Sequence, residues 1–144
     1  MHEYVRNIRP GWIAFGWFIA VALTSLILLA LAGLGFVGDN PNQEAVFVAA
    51  ALVAGFLVTG FFVGTRVAAA PHLNGLGMGI FSIVAWVAIN LFLGEPTGSA
   101  TWRDLDVWTV AGLLVLQAVA AIIGARLGVR WIRSGPQAAS SSEA

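Results

Sequence analysis

The chain has 144 residues, of which 59% are hydrophobic and only 10% are charged, and its mean hydropathy is +0.88. Soluble domains carry about 25% charged residues, and a domain of about 150 residues buries only about 70% of its chain surface. The composition therefore excludes a soluble enzyme, a disordered protein and a nucleic-acid-binding protein. Seven arginines balance seven acidic residues, so no net charge attracts DNA or RNA. The absence of cysteine excludes disulfides, cysteine-ligated zinc and thiol catalysis.

Four apolar segments predict an all-α membrane protein with four transmembrane helices. Each segment is long enough to cross about 30 Å of hydrocarbon at about 1.5 Å per residue. Stretches rich in proline, glycine and asparagine separate the segments. We expect residues 1–133 to form one transmembrane domain and residues 134–144 a disordered cytoplasmic tail. The predicted helices cover approximately residues 12–37, 46–65, 75–93 and 107–131.

The arginines predict the orientation of the helices, because cytoplasmic loops of membrane proteins carry an excess of basic residues. Six of the seven arginines fall on one side of the predicted membrane, and only Arg103 falls on the other. We therefore expect a multi-pass protein of the bacterial cytoplasmic membrane with both termini in the cytoplasm. The six arginines on the predicted cytoplasmic side are Arg6, Arg9, Arg66, Arg126, Arg130 and Arg133.

A short internal repeat predicts two tandem helical hairpins in parallel orientation within one bundle. Residues 62–68 read FVGTRVA and residues 122–128 read IIGARLG. At an offset of 60, Gly64 pairs with Gly124 and Arg66 pairs with Arg126. Both segments close a helix on the same predicted side of the membrane.

Pairs of glycines spaced four residues apart predict close helix packing, since small residues let helix backbones approach in a membrane. One interpretation is that these glycines close the bundle on itself. The other is that at least one pair forms a seam with another subunit. The helix-packing glycines are Gly60, Gly64, Gly75, Gly79, Gly124 and Gly128.

Gln117 lies near the predicted middle of the fourth helix, where its amide needs a hydrogen-bonding partner. It belongs to a stripe of polar and small residues that continues through Ala121 and Gly124 to Gly128. Such an amide either joins two helices of the bundle through a hydrogen bond or lines a path for water or a polar solute. Asn90 lies near the outer end of the third helix, where we expect it to cap the helix or meet lipid headgroups. The candidate partners of Gln117 are Thr24, Ser25, Thr59 and Ser82.

The middle of each predicted helix lacks Asp, Glu, Lys and His, which are the residues that build proton relays and ion-coupled pumps. Phosphate-binding loops, nucleophile elbows and metalloprotease motifs are likewise missing in the required context, so we expect no catalysis. We expect no bound metal or cofactor. His72 is a weak candidate ligand, since it precedes the third helix and is predicted to lie in an interfacial loop.

Arg126, Arg130 and Arg133 form one stripe at the end of the fourth helix. Together with Arg66 they are predicted to anchor the topology or to dock anionic lipid or a partner subunit.

The chain resembles a group of small bacterial four-helix integral membrane proteins to which no activity is assigned. Three features carry the resemblance: the four-helix length, the G-x-R endings of helices two and four, and the sequence PHLNG before a glycine-rich third helix. The resemblance covers approximately residues 10–133 and implies the fold and residence in a bacterial membrane. It implies no catalytic residues.

Three functional hypotheses follow. The first is a non-catalytic accessory or scaffold subunit that packs in the bilayer against a larger membrane complex or against its own copies. The second is a small facilitator or channel for a neutral or lipid-like solute, with Gln117, Asn90 and Ser82 along its path. The third is a cofactor-binding subunit of an energy-converting complex, based on His72 and the deep tryptophans Trp17 and Trp86.

The first helix also mimics a secretory signal, because two arginines precede an apolar run that contains a possible cleavage site, Ala30-Leu31-Ala32 before Gly33. The run continues to residue 37, which exceeds the usual signal core of about 7–15 residues. We therefore expect the first helix to be retained in the mature protein. N-terminal sequencing of protein purified from membranes checks this, and a mature chain that begins at Gly33 would contradict it.

Overall fold

In a computed structural model, described for residues 9–36, 41–67, 70–92 and 107–134, the chain forms four α-helices. This confirms the predicted all-α fold with four helices. Residues 134–144 lie outside the described residues, apart from Ser134. The helices are α1 (Pro10–Gly33), α2 (Pro41–Arg66), α3 (Pro71–Phe92) and α4 (Val107–Arg133).

Three of the helices begin at a proline, and the sequence suggested that two of these prolines, Pro41 and Pro71, belonged to loops. Proline fits the first helical position because its missing N–H has no partner there and its φ is already helical. As a result, α2 begins at Pro41 and α3 at Pro71, several residues before the predicted starts at 46 and 75. His72 therefore lies in the first turn of α3, and its prediction as a loop residue is wrong.

Three helices are long and apolar enough to span a membrane: Pro10–Gly33, Glu44–Arg66 and Trp108–Arg133. The remaining helix, α3, has a shorter apolar stretch among its described residues, His72–Ala85. The chain is thus a helical protein with three candidate membrane spans, and a crossing by α3 stays a prediction.

The helices contact one another in the cyclic order α1, α2, α4, α3. Within each hairpin the helices are antiparallel. Between α1 and α2, Gly16 meets Val63 and Gly55 meets Ala20; between α3 and α4, Gly75 meets Ile122 and Gly79 meets Ala118. Between the hairpins, α2 and α4 run in the same direction, because Gly60 meets Ala121 and Gly64 meets Ala125. The parallel orientation expected from the repeat is therefore present.

The closest helix pair is α2 and α4, whose backbones touch through four glycines. A Cβ atom at Gly60 or Gly64 would overlap the carbonyl oxygen of Ala121 or Ala125, respectively. In the reciprocal direction, a Cβ at Gly124 would overlap the Leu57 carbonyl oxygen, and one at Gly128 would overlap that of Phe61. Only a hydrogen fits at these positions, and Cα–H···O contacts of this kind recur at close helix interfaces.

The glycines of α3 pack against α4 and α1. A Cβ at Gly75 would lie 2.8 Å from the Ile122 Cα, and one at Gly79 would lie 2.6 Å from the Ala118 Cβ. A Cβ at Gly77 would lie 2.6 Å from Cδ1 of Ile13 in α1. All six glycines predicted to pack helices therefore face other helices of the same chain, which favours their use in closing the bundle.

The core lies toward the end of the bundle where α1 and α3 begin. Among the described residues, none after Thr24 in α1, none before Ala51 in α2 and none before Ala120 in α4 is buried. Phe56 and Met78 are the largest fully buried apolar side chains, at 1% and 0% exposure. The glycine contacts and the core thus occupy the same half of the bundle.

We expect Gly124→Ala to destabilise the bundle by about 1–3 kcal/mol, because the new methyl group meets a backbone carbonyl that cannot turn away. Gly112→Ala is the matched control, since a Cβ at Gly112 meets nothing within 4 Å. The control should be neutral or raise the free energy of unfolding by up to about 1 kcal/mol through helix propensity. SDS-induced unfolding of protein reconstituted in bicelles measures both changes. Equal effects at the two positions would contradict the proposed role of the α2–α4 contact.

Candidate functional site: the positive end of the bundle

The described arginines all lie at one end of the bundle, which we call the positive end. Arg9 precedes α1 and Arg66 ends α2. The other three, Arg126, Arg130 and Arg133, occupy the last two turns of α4. This grouping follows from the antiparallel hairpins and the parallel α2–α4 contact. All five side chains are exposed, and Arg6 and Arg103 lie outside the described residues.

The parallel packing of α2 and α4 places two helix C-termini side by side at the positive end. Each C-terminus carries a partial negative charge of roughly half an electron from its unpaired carbonyl groups. Basic side chains in the last turn interact favourably with this charge, and they are Arg66 in α2 and Arg130 and Arg133 in α4. The arginines therefore stabilise an arrangement in which two like dipole ends meet.

His72 and Arg126 join α3 to α4 at the positive end. Nε of Arg126 donates a hydrogen bond to Nε2 of His72 over 3.2 Å, and both side chains are exposed. Because Nε2 accepts this bond, the proton of a neutral imidazole is on Nδ1. The sequence suggested separate roles for these residues, as a possible ligand and as an anchor. The structure brings them together.

Within the described residues the positive end contains no carboxylate. Glu44 is the acidic residue of the described ranges, and it lies in the first turn of α2. About 22 residues separate it from Arg66, which corresponds to about 33 Å of helix. Among the described residues, the two ends of the bundle thus differ in charge, as the sequence predicted.

The deep tryptophan of α1 donates a hydrogen bond to the core of α3. Trp17 Nε1 lies 2.8 Å from Ser82 Oγ, and Ser82 Oγ in turn donates to the Met78 carbonyl over 3.2 Å. The Trp17 ring also makes edge-on contacts with Phe18 and Phe81. An indole in an apolar setting needs a partner for its N–H, and Ser82 of the same bundle supplies it.

Gln117 is half-buried, and no hydrogen bond joins it to its candidate partners Thr24, Ser25, Thr59 or Ser82 among the described residues. Thr24 instead donates to the Ala51 carbonyl over 3.5 Å. Thr59 is fully buried, and within the described part of the chain its hydroxyl has no hydrogen-bonding partner. The polar groups of the core are thus distributed over separate contacts and form no continuous network there.

Asn74 is a structural residue that the sequence analysis did not single out. Its side-chain Nδ2 donates to the Ala70 carbonyl over 3.2 Å, and its backbone N–H donates to the same oxygen. Asn74 is only 1% exposed, while Ala70 adopts a left-handed φ of 58°. The sequence could have indicated this role, because Asn74 follows Ala70 by four residues, the spacing at which its side chain reaches the Ala70 carbonyl.

The side chains of Trp86 and Asn90 and residues 93–106, which include Arg103, lie outside the described residues. In the described ranges, no group of three or more His, Cys, Asp or Glu side chains is placed to hold a metal ion.

Comparison with known proteins gives no relative, since no protein family, curated protein or solved structure matches the chain.

The Trp17–Ser82 hydrogen bond should couple α1 to α3 by about 0.6–1.7 kcal/mol, which lies between the average and the maximum found for hydrogen bonds between membrane helices. A double-mutant cycle with Trp17→Phe and Ser82→Ala, read by unfolding in bicelles, checks this value. A second cycle that pairs Trp17→Phe with Ser25→Ala serves as the control and should show no coupling. Additive effects in the first cycle would mean that the bond contributes nothing to stability.

Proposed function

We propose that the protein is a non-catalytic integral membrane protein that acts as an accessory or scaffold subunit in a bacterial membrane, with both termini in the cytoplasm. It packs through a lipid-facing helix surface against a larger membrane complex or a second copy of itself. The observation that carries this proposal is Ser25, an exposed hydroxyl on the outer face of α1.

Ser25 lies deep within the candidate span. It follows the start of α1 by 15 residues, which corresponds to about 22 Å along a helix of about 36 Å. Its hydroxyl makes no hydrogen bond with another described residue. A polar group in hydrocarbon gains from a partner, and serines that hydrogen-bond across helices are common at membrane interfaces.

The surroundings of Ser25 suit a helix–helix contact. Four exposed residues follow one another at helical spacing along one side of α1: Phe18, Ala22, Ser25 and Leu29. Phe18 is 63% exposed and Leu29 is 71% exposed. Two small residues between two large ones form a shallow depression into which a partner helix fits closely. We call these four residues the α1 outer face.

The glycine pairs do not serve this contact, because they already pack the chain against itself. The proposed subunit interface therefore differs from the one that the glycine spacing suggested. A variant that probes assembly must change the α1 outer face, since changing Gly60, Gly64, Gly124 or Gly128 would disturb the fold instead.

The described core favours a scaffold over the two other hypotheses. Phe56 and Met78 belong to the packed core, and the Ser82 hydroxyl is engaged by Trp17 and Met78. A facilitator needs such polar groups along an open path. The Nε2 atom of His72 accepts a hydrogen bond from Arg126, so cofactor ligation through that atom would first require this bond to break.

Cysteine crosslinking tests the proposal cleanly, because the chain contains no cysteine of its own. We expect Ser25→Cys in native membranes, labelled with a benzophenone maleimide and illuminated, to give a crosslinked species of defined mass, because the maleimide bonds to the thiol and the benzophenone to C–H groups of any neighbouring chain. Adding Ala22→Leu should weaken the crosslink, since a large side chain fills the depression. Mass spectrometry of the product identifies the partner as a second copy or another protein.

Val115→Cys is the matched control, since Val115 is 63% exposed and lies on the opposite hairpin. It should give no discrete product. Equal crosslinking at both positions would indicate random collision, and the proposal would then fail. It would also fail if Ser25→Cys gave no product and nothing co-purified with the protein in mild detergent.

A further inference from the structure

A compact basic surface lies on the outer side of the contact between α3 and α4. It consists of His72, Arg126 and Arg130, which we call the seam patch. His72 and Arg126 are joined by their 3.2 Å hydrogen bond, and Arg130 follows Arg126 by one helical turn on the same side of α4. All three side chains are exposed.

The hydrogen bond within the patch leaves it with donors only. It occupies the Nε2 atom of His72, the one acceptor that a neutral imidazole has. The Nδ1–H of His72 and the four remaining N–H groups of the Arg126 guanidinium are then available. No carboxylate of the described residues lies at this end to neutralise the patch. Its chemistry is therefore that of a site for an anion with several acceptor oxygens.

An exposed apolar track leads from the seam patch toward the middle of the bundle. Leu76 and Ile80 follow His72 at steps of four residues on α3, and they are 45% and 53% exposed. Val119 and Ile123 precede Arg126 on the adjacent side of α4, and they are 45% and 44% exposed. Between these rows, Gly75 and Gly79 hold the two helices close together. The track and the patch thus form one continuous amphipathic surface.

We propose that this surface binds an anionic phospholipid, with the lipid phosphate on the seam patch and an acyl chain along the apolar track. Arginine and histidine donors match the phosphate oxygens, and the exposed aliphatic side chains match the chain. A free phosphate ion uses only the patch and leaves the track unexplained. The location also suits a lipid, because Arg126 and Arg130 lie near the end of the candidate membrane span Trp108–Arg133, where lipid headgroups are found.

Native mass spectrometry of the full-length protein in mild detergent tests the proposal. Titration with phosphatidylglycerol is compared with phosphatidylcholine, whose headgroup carries no net charge. We expect tighter binding of phosphatidylglycerol to the wild-type protein. Arg126→Gln and Arg130→Gln should each weaken that binding about fivefold, the equivalent of about 1 kcal/mol per basic residue at an anionic surface.

Arg66→Gln is the matched control, because Arg66 lies at the same end of the bundle but on α2, outside the α3–α4 contact. It should change the affinity less than twofold. Unfolding in bicelles monitors the fold of each variant, and Arg130→Gln removes no hydrogen bond of the described structure. Millimolar inorganic phosphate is added as a competitor and should not displace the lipid.

Three results would overturn the proposal. If Arg66→Gln weakened phosphatidylglycerol binding as much as Arg126→Gln does, the lipid would be responding to the overall charge of the positive end. If Arg126→Gln and Arg130→Gln both bound phosphatidylglycerol as tightly as the wild-type protein, the seam patch would not be the lipid site. Displacement of phosphatidylglycerol by inorganic phosphate would assign the patch to a free anion.

Discussion

The bundle depends on direct backbone contact between α2 and α4. In a membrane, apolar side chains gain little by leaving lipid for protein, so helices associate through close packing and polar contacts. Four glycines allow that approach, because at each of them a carbonyl group of the facing helix occupies the space that a methyl group would need. They are Gly60, Gly64, Gly124 and Gly128. The remaining helices, α1 and α3, pack against the outer sides of this pair, and the buried core lies at the same level.

Parallel contact between two helices has an electrostatic cost, which explains part of the charge pattern. Two C-termini with partial negative charge come together where α2 and α4 end. Arginines are found there, and they both offset the dipoles and give the end its excess of positive charge. Basic residues that are usually interpreted only as topology signals therefore also stabilise the helix arrangement. Those on the α3–α4 side have a further role if they bind lipid as proposed.

The number of helices and the packing glycines could be predicted from the sequence, because long apolar runs and four-residue glycine spacing reflect local chemistry. The helix starts were less predictable, since Pro41 and Pro71 resemble loop residues until their N-terminal position is known. Which glycine meets which carbonyl depends on the register between distant helices. Pairings such as Trp17 with Ser82 and His72 with Arg126 likewise arise only when the hairpins assemble, so the partners could not be inferred from spacing.

The α2–α4 contact joins segments that are more than 60 residues apart, and this has a consequence for biosynthesis. At about 5–20 residues per second, the ribosome needs several seconds to make α4 after α2. During this interval Gly60 and Gly64 are without their partner helix. The first hairpin must therefore persist in the translocation machinery or the bilayer with an exposed groove. A nascent chain at this stage is open to a chaperone, or to mispairing with another glycine-rich helix.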